Sequence, residues 1–266
     1  MNGAFRHPLR VGIRVAWLGF ELIWIAINYV SRVSLRTNSS LLEARMRWLQ
    51  WACRRVLRIF NLKITASGPI PRAGLLVSNH LGYLDILILS SLTPSVFVAK
   101  QEVRGWPVFG WFAMMAGTLF VDRQRRAGVV TSAEAVKAFL NEAALVVLFP
   151  EGTSSDGRDV LPFKSALLQP VAIPSHLLSA SAIAYSLRDG DVREEVCYWK
   201  DMTLVPHLLN LLSKEGITAR VQFAEVEPGG SDRKVLARRL RAEVMKLKGC
   251  VSEQLFHPAL ACAGPA

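Results

Sequence analysis

The stretch "GLLVSNHLGYLDILILSSL", Gly74 to Leu92, decides the fold. Its opening run, "GLLVS" (74–78), is apolar throughout and of strand length. Its closing run, "LDILILSSL" (84–92), reads as a short helix. Asn79-His80 and Asp85 fall where one gives way to the other. A buried strand, a polar turn and a helix form the repeating unit of an α/β layer fold.

The same alternation continues outward. "SVFVAK" (95–100), "GTLFVD" (117–122), "ALVVLFP" (144–150), "SASAIAYS" (179–186) and "ITARVQFAEV" (217–226) read as strands. "TSAEAVKAFLNEA" (131–143) reads as a helix, with Thr131 and Glu134 at capping-box spacing. Further helices are expected over 165–172 and over 201–214, the latter with Pro206 in or near its first turn. A last helix spans 231–249, capped by Ser231 and stopped by Gly249. In such a sheet the chemistry sits at the carboxyl ends of the strands. The polar clusters Asn79-His80, Asp122-Arg123 and Glu151-Gly152-Thr153 all fall at such ends.

The chain has 266 residues, enough for one large domain or one domain with an appendage. It is 51% hydrophobic, with a net charge of +11, a mean hydropathy of +0.27 and a pI of about 10.0. High apolarity with high basicity points first to an anionic membrane surface. An acidic carrier protein or a phosphorylated substrate fits the charge as well. Nucleic acid fits least, because the N-terminal arginines interleave with aliphatic residues and tryptophans and no nucleic-acid motif is present. The four cysteines show no CxxC spacing, which argues against a zinc site or a disulfide framework and for a reducing compartment.

Residues 15–30, "VAWLGFELIWIAINYV", are apolar apart from Glu21 and Asn28. Sixteen residues fall short of the roughly 20 that span a bilayer. Arginines flank both ends (Arg6, Arg10 and Arg14; Arg32 and Arg36), which argues against a clean crossing. Whether the segment spans or dips is open at this point. Residues 41–60 read as a basic amphipathic helix with Trp48 and Trp51 available to an interface. Such a helix either lies on a membrane or packs on the body of the protein. Two apolar segments in succession favour the membrane. The expected organisation is therefore membrane-anchoring helices over 1–60, a catalytic domain over 61–250 and a tail over 251–266.

His80 and Asp85 carry the chemistry. A turn between strand and helix can fold the carboxylate onto one imidazole nitrogen, which fixes the tautomer and makes the other nitrogen a base. No GxSxG nucleophile elbow is present, so the base would act on a substrate hydroxyl. Arg123 suits an anionic group. Glu151, the backbone amide of Gly152 and the Thr153 hydroxyl could bind a polyol phosphate. Lys164 offers a second positive charge. Each of these also has a plain structural reading: a strand-end histidine, a surface ion pair with Asp122, a polar turn, a solvated lysine.

"NHLGYLD", "GTLFVDR" (117–123) and "FPEGTSSDG" (149–157) together resemble three motifs of the glycerolipid acyltransferases, the family of bacterial 1-acylglycerol-3-phosphate acyltransferases. They occur in family order, and the similarity covers roughly Gly68 to Phe223. The resemblance implies an α/β catalytic domain, a mixed sheet flanked by helices, behind an N-terminal membrane-associated helical segment. It implies His80 as general base and Asp85 as its orienting partner. Arg123, Glu151 and Gly152 would bind the acceptor, with Asn79 and Thr153 in support and Lys100 as an extra cation near the oxyanion. Two departures stand out. Ser154 replaces a frequent arginine, for which Lys164 or Arg158 could substitute. The strand 179–186 lacks the proline of the family's fourth motif. "CYWKDMTLVPHLLNLL" (197–212) also resembles a subgroup that includes lyso-ornithine lipid acyltransferases. The expected activity is transfer of an acyl group from acyl-CoA or acyl carrier protein to a lysophospholipid. Lysophosphatidate is the first acceptor and lyso-ornithine lipid the alternative. No metal or other cofactor is expected, and the expected location is the cytoplasmic face of the inner membrane. A hydrolase of the same lipids or thioesters and a non-catalytic lipid-binding protein are the rival readings.

Overall fold

The alternating apolar segments become three layers in the computed structural model, which describes residues 7–36, 38–121, 126–171, 176–227 and 232–256. The middle layer is one seven-stranded sheet: β1 (Leu62–Ser67), β2 (Gly74–Ser78), β3 (Val96–Lys100), β4 (Leu119–Val121), β5 (Leu145–Leu148), β6 (Leu178–Leu187) and β7 (Ile217–Val226), in the order β1-β7-β6-β2-β5-β3-β4. Every pairing is parallel except β6 with β7. The sheet is therefore mixed. β2 and β5 are buried along their whole length, as a central strand covered on both faces must be. β1 alternates half-buried and exposed, as expected at an edge.

Helices α2 (Asn38–Ile59), α3 (Tyr83–Leu92) and α7 (Leu204–Ser213) cover one face, where Leu57, Ile88, Leu89, Phe97, Val147, Leu211 and Phe223 form a continuous core. Helices α5 (Arg126–Asn141) and α8 (Arg233–Phe256) cover the other, around Val77, Val146, Leu140, Leu240 and Val244. Burying apolar area on both faces supplies most of the drive to fold, at about 25 cal/mol per Å². β2, β3, β4, β5 and β6 all run the same way, so their carboxyl ends share one edge of the sheet.

Several boundaries differ from the expectation. α5 begins at Arg126, ahead of Thr131, so the Thr131–Glu134 pair lies within a helix and does not start one. The segment expected as a helix over 165–172 is a 3-10 stretch, Ser165–Val171. α8 runs through Gly249 to Phe256. A glycine costs a helix about 1 kcal/mol, and the fully buried Val251 beyond it holds the helix down. At the start of this helix Asp232 Oδ1 accepts from the backbone N–H of Lys234 (2.7 Å) and Val235 (3.3 Å). Ser231 itself lies outside the described residues. β1 and two short helices, α4 (Phe109–Met115) and α6 (Val192–Glu195), carry no strong sequence pattern.

The N-terminal segment is longer than its apolar run. Helix α1 (Pro8–Tyr29) continues through a π-helical turn, Val30–Ser34, to give 27 residues that include an 18-residue window of mean hydropathy 1.5, long and apolar enough by length and composition to cross a membrane. Pro8 starts it. Arg10 and Arg14 fold onto the C-terminal carbonyls of α7, donating to Ser213 O (2.9 Å) and Leu212 O (3.0 Å). Glu21 faces α2, where Arg55 grips it at 2.6 and 2.9 Å and Trp17 Nε1 donates at 3.1 Å.

Residues 41–60 form a helix packed on the body of the protein. Trp48 is 2% exposed, its Nε1 donates to Ile25 O (3.2 Å), and its ring stacks on Phe112. Leu57, Ile59 and Phe60 belong to the main core, and Trp51 carries the guanidinium groups of Arg32 and Arg55 at 5.1 and 5.3 Å. The two apolar segments cover each other, and only α1 keeps an unpaired apolar stripe, through Leu9, Ile13, Phe20, Ile23 and Ile27. Packing thus runs unbroken across residue 60, and α8 runs unbroken across residue 250.

Candidate active site

β2 ends at Ser78, and its main chain then turns away from β6. Asn79 fills the gap. Its Oδ1 accepts from Ile183 N (2.8 Å) and its Nδ2 donates to Ile183 O (3.0 Å). The amide thus extends the β2–β6 ladder past its last main-chain pair, Ser78 with Ser181. This fixes the direction in which the chain leaves the sheet, and with it the next residue.

That residue is His80. Its Nδ1 lies 2.9 Å from Asp85 Oδ2. A carboxylate can only accept, so Nδ1 carries the proton and donates it. Asp85 sits in the first turn of α3, where the free N–H groups favour an anion. Its Oδ2 also accepts from the backbone N–H of Leu81 and Gly82, at 2.5 and 3.0 Å. Asp85 is wholly buried, whereas the His80 side chain keeps 19% of its surface. Nε2 of His80 has no partner among the described residues, so its lone pair is available to a substrate. The imidazole also lies flat on Phe149, ring centres 4.1 Å apart and planes 16° apart. The dyad therefore has one orientation.

The segment "FPEGTSSDG" acts on His80 as a clamp. Glu151 Oε1 accepts from the His80 backbone N–H (2.8 Å), and the Ser155 backbone N–H donates to His80 O (2.9 Å). The second oxygen of Glu151 accepts from Leu161 N (2.9 Å). Burial pushes the Glu151 carboxyl up to about 7, against the pull of these two amides and of His80. Gly152, expected to offer its amide to a ligand, donates it to Phe149 O (3.1 Å) and closes the turn. Its φ of 74° favours glycine there. Both groups were expected to face the acceptor; in this structure both are engaged in holding the loop.

The remaining candidates lie around this centre. Thr153 is exposed, next to the turn. Lys164 is exposed and is tied to the same turn through its backbone N–H on Pro150 O (2.8 Å). Lys100 ends β3 on the same sheet edge, exposed. Arg158 pairs with Asp156 at 3.4 Å, and Arg193 takes the same carboxylate at 2.9 Å. Arg123 lies outside the described residues. Among the described residues, no group of His, Cys, Asp or Glu side chains is placed to hold a metal ion.

Other supports carry no motif signal. Tyr83 Oη lies 2.9 Å from His207 Nδ1, and His207 Nε2 lies 3.1 Å from Cys197 O. Burial lowers the His207 imidazole to about 4, so it is neutral, with Nε2–H donating to the carbonyl. This pins the segment whose Tyr198 N–H holds Leu81 O at 2.8 Å. Tyr185, in β6, donates its hydroxyl to Asp85 Oδ1 at 2.5 Å. A tyrosine in a strand otherwise built of alanine, serine, leucine and isoleucine was the available clue, since a buried phenol needs a partner.

Residues 61–174 match the acyltransferase family model. The chain is 37% identical over 210 residues to the lyso-ornithine lipid O-acyltransferase of Brucella abortus (strain 2308), covering 73% of this chain and 79% of that protein. It is 31% identical to the protein of the same name from Pseudomonas aeruginosa (strain PAO1), over 89% of this chain and 92% of the other. It is 34% identical to the 1-acyl-sn-glycerol-3-phosphate acyltransferase of Neisseria meningitidis serogroup B (strain MC58), over 68% and 72%. The crystal structure of the 1-acyl-sn-glycerophosphate (LPA) acyltransferase PlsC from Thermotoga maritima superposes with a TM-score of 0.71, over 98% of this chain and 100% of that one. At 17% identity this is a likeness of fold.

Proposed function

The chain belongs to the acyltransferase family, and on that premise we propose that it moves a fatty acyl group from an acyl thioester to the hydroxyl of lyso-ornithine lipid at a membrane surface. The observation that carries the chemistry is the His80–Asp85 pair, with Nδ1 bound and Nε2 open. Nε2 takes the proton of the acceptor hydroxyl as its oxygen attacks the thioester carbonyl. A tetrahedral oxyanion forms. It collapses with cleavage of the C–S bond, and the thiolate leaves with the proton returned from the imidazolium. Asp85 stabilises that imidazolium through Nδ1–H. Such base catalysis contributes about 10²–10⁴-fold, and orientation and oxyanion stabilisation supply the rest. No metal or other cofactor enters the scheme; the donor is acyl-CoA or acyl carrier protein.

The acceptor reading rests on two points. Four relatives, 30–37% identical to this chain, bear the lyso-ornithine name. Glu151 and the Gly152 amide, which the family resemblance assigns to a glycerol phosphate acceptor, are bonded to backbone groups in this structure. An ornithine headgroup carries a carboxylate and an ammonium and no phosphate. Lysophosphatidate, the first acceptor suggested by "GTLFVDR" and "FPEGTSSDG", is the second reading, and the Neisseria relative favours it. The apolar stripe of α1, with Trp111 of α4 at 69% exposure, would sit in one leaflet. Arginines at both ends of α1 would keep the enzyme on the cytoplasmic side.

Purified protein is given one labelled acyl thioester with lyso-ornithine lipid, with lysophosphatidate, or with neither. Transfer to lyso-ornithine lipid with the higher kcat/KM supports the proposal. Preference for lysophosphatidate, with an Arg123→Ala variant raising its KM, would move the assignment to the second reading. Thioester loss without any acceptor would indicate a hydrolase.

A further inference from the structure

We infer that Tyr185 is a positioning residue of the reaction, acting as the third member of a Tyr185–Asp85–His80 relay that sets how strongly His80 holds a proton. The inference deepens the proposed acyl transfer and rests on His80 being its base.

The geometry is specific. Tyr185 Oη donates to Asp85 Oδ1 at 2.5 Å, while Asp85 Oδ2 takes the His80 Nδ1–H at 2.9 Å. The carboxylate is fully buried and Tyr185 is 6% exposed, so water does not compete with either bond. With the amides of Leu81 and Gly82, four donors share one negative charge. Each donor drains charge that the carboxylate would otherwise offer to the imidazolium. Among the described residues Tyr185 is the donor to Oδ1, so the phenol governs the charge on that oxygen.

Chain connection reinforces the placement. Ile183, two residues before Tyr185 on β6, is the partner of the Asn79 side chain. The same strand therefore holds the residue before the base and the carboxylate that orients it. Burial, with Asp85 beside it, holds the Tyr185 phenol well above its ordinary range. It therefore stays a donor at every working pH. Among the described residues, the other ionisable groups near the relay include Glu151, on the His80 amide; Cys197 and Tyr83, which act on Tyr185; and Asp156, Asp191 and Arg193, which act on Cys197. None of them bonds to Asp85 Oδ1.

Removing the phenol hydroxyl leaves Asp85 with one unshared oxygen and a stronger hold on the imidazolium. His80 then needs a higher pH to become the free base. Tyr185→Phe keeps the ring in the core, so the fold is expected to survive, and a thermal melt checks it. The test is the pH dependence of kcat/KM for acyl transfer in wild type and Tyr185→Phe, alongside the pH dependence of inactivation by diethyl pyrocarbonate, which attacks neutral imidazole. We expect the acid limb of both profiles to move up by about one pH unit, the scale of one charge-assisted hydrogen bond. Activity should approach the wild-type level on the alkaline plateau. An acid limb that stays in place, with kcat/KM reduced equally at every pH or not at all, would overturn the role. If His80→Ala retains transfer, the failure lies instead with the proposed base, which distinguishes the two.

Discussion

Glu151→Gln separates a clamp from a ligand. In the structure both carboxyl oxygens accept backbone N–H groups, from His80 and from Leu161, at 2.8 and 2.9 Å. Glutamine keeps one acceptor and turns an NH₂ group toward the other amide. One buried N–H then loses its partner, at a cost of about 1–3 kcal/mol. The size of the effect should depend on pH. Burial raises the Glu151 carboxyl from 4.5 to about 7. A group whose folded value is raised binds its proton more tightly folded than unfolded, so wild-type stability falls as pH rises between these two values. The full span corresponds to roughly 3 kcal/mol. Glutamine does not titrate and lacks this slope. Urea or thermal unfolding at pH 5 should therefore show Glu151→Gln the less stable. By pH 8 the gap should close or reverse, at about 2–4 °C in Tm per kcal/mol. Since His80 is held through its main chain, kcat should fall while the acceptor KM changes little. A stability gap independent of pH, or a raised acceptor KM with unchanged stability, would refute the clamp.

Asn79→Ala should destabilise the protein by about 2–4 kcal/mol, because it orphans the buried N–H and C=O of Ile183, and denaturant titration reads this directly. Phe20→Ser with Trp111→Ser should weaken flotation with anionic vesicles by about tenfold or more per residue, the scale of one large apolar side chain leaving lipid, while activity on micellar acceptor persists. Arg55→Met leaves Glu21 buried without its cation and should cost roughly 3 kcal/mol, seen as faster proteolytic release of the N-terminal helix in detergent.

The sheet was legible because β2 and β5 are continuous apolar runs and β7 alternates, patterns that burial on two faces or one produces directly. The helix ends were less legible. Gly249 has the residue type of a stop, yet Val251 packs beyond it, and tertiary burial outweighs a local signal of about 1 kcal/mol. The His80–Asp85 pair could be read from spacing, because a strand–turn–helix connection has few geometries. The backbone contacts of Glu151 and Gly152 could not. Whether a carboxylate meets a ligand or a backbone amide depends on where distant segments lie, here Leu161 and the chain after β2. Trp48 shows the same limit. Its position on a basic amphipathic helix suits a membrane, and only the presence of α1 and Phe112 buries it.

The central claim is that His80 removes the acceptor's proton. Its most direct test is acyl transfer by a folded His80→Ala protein, supplied with a labelled acyl thioester and lyso-ornithine lipid or lysophosphatidate. Loss of transfer to either acceptor by about 10²–10⁴-fold, with the melting transition retained, is expected. Transfer near the wild-type rate would contradict it.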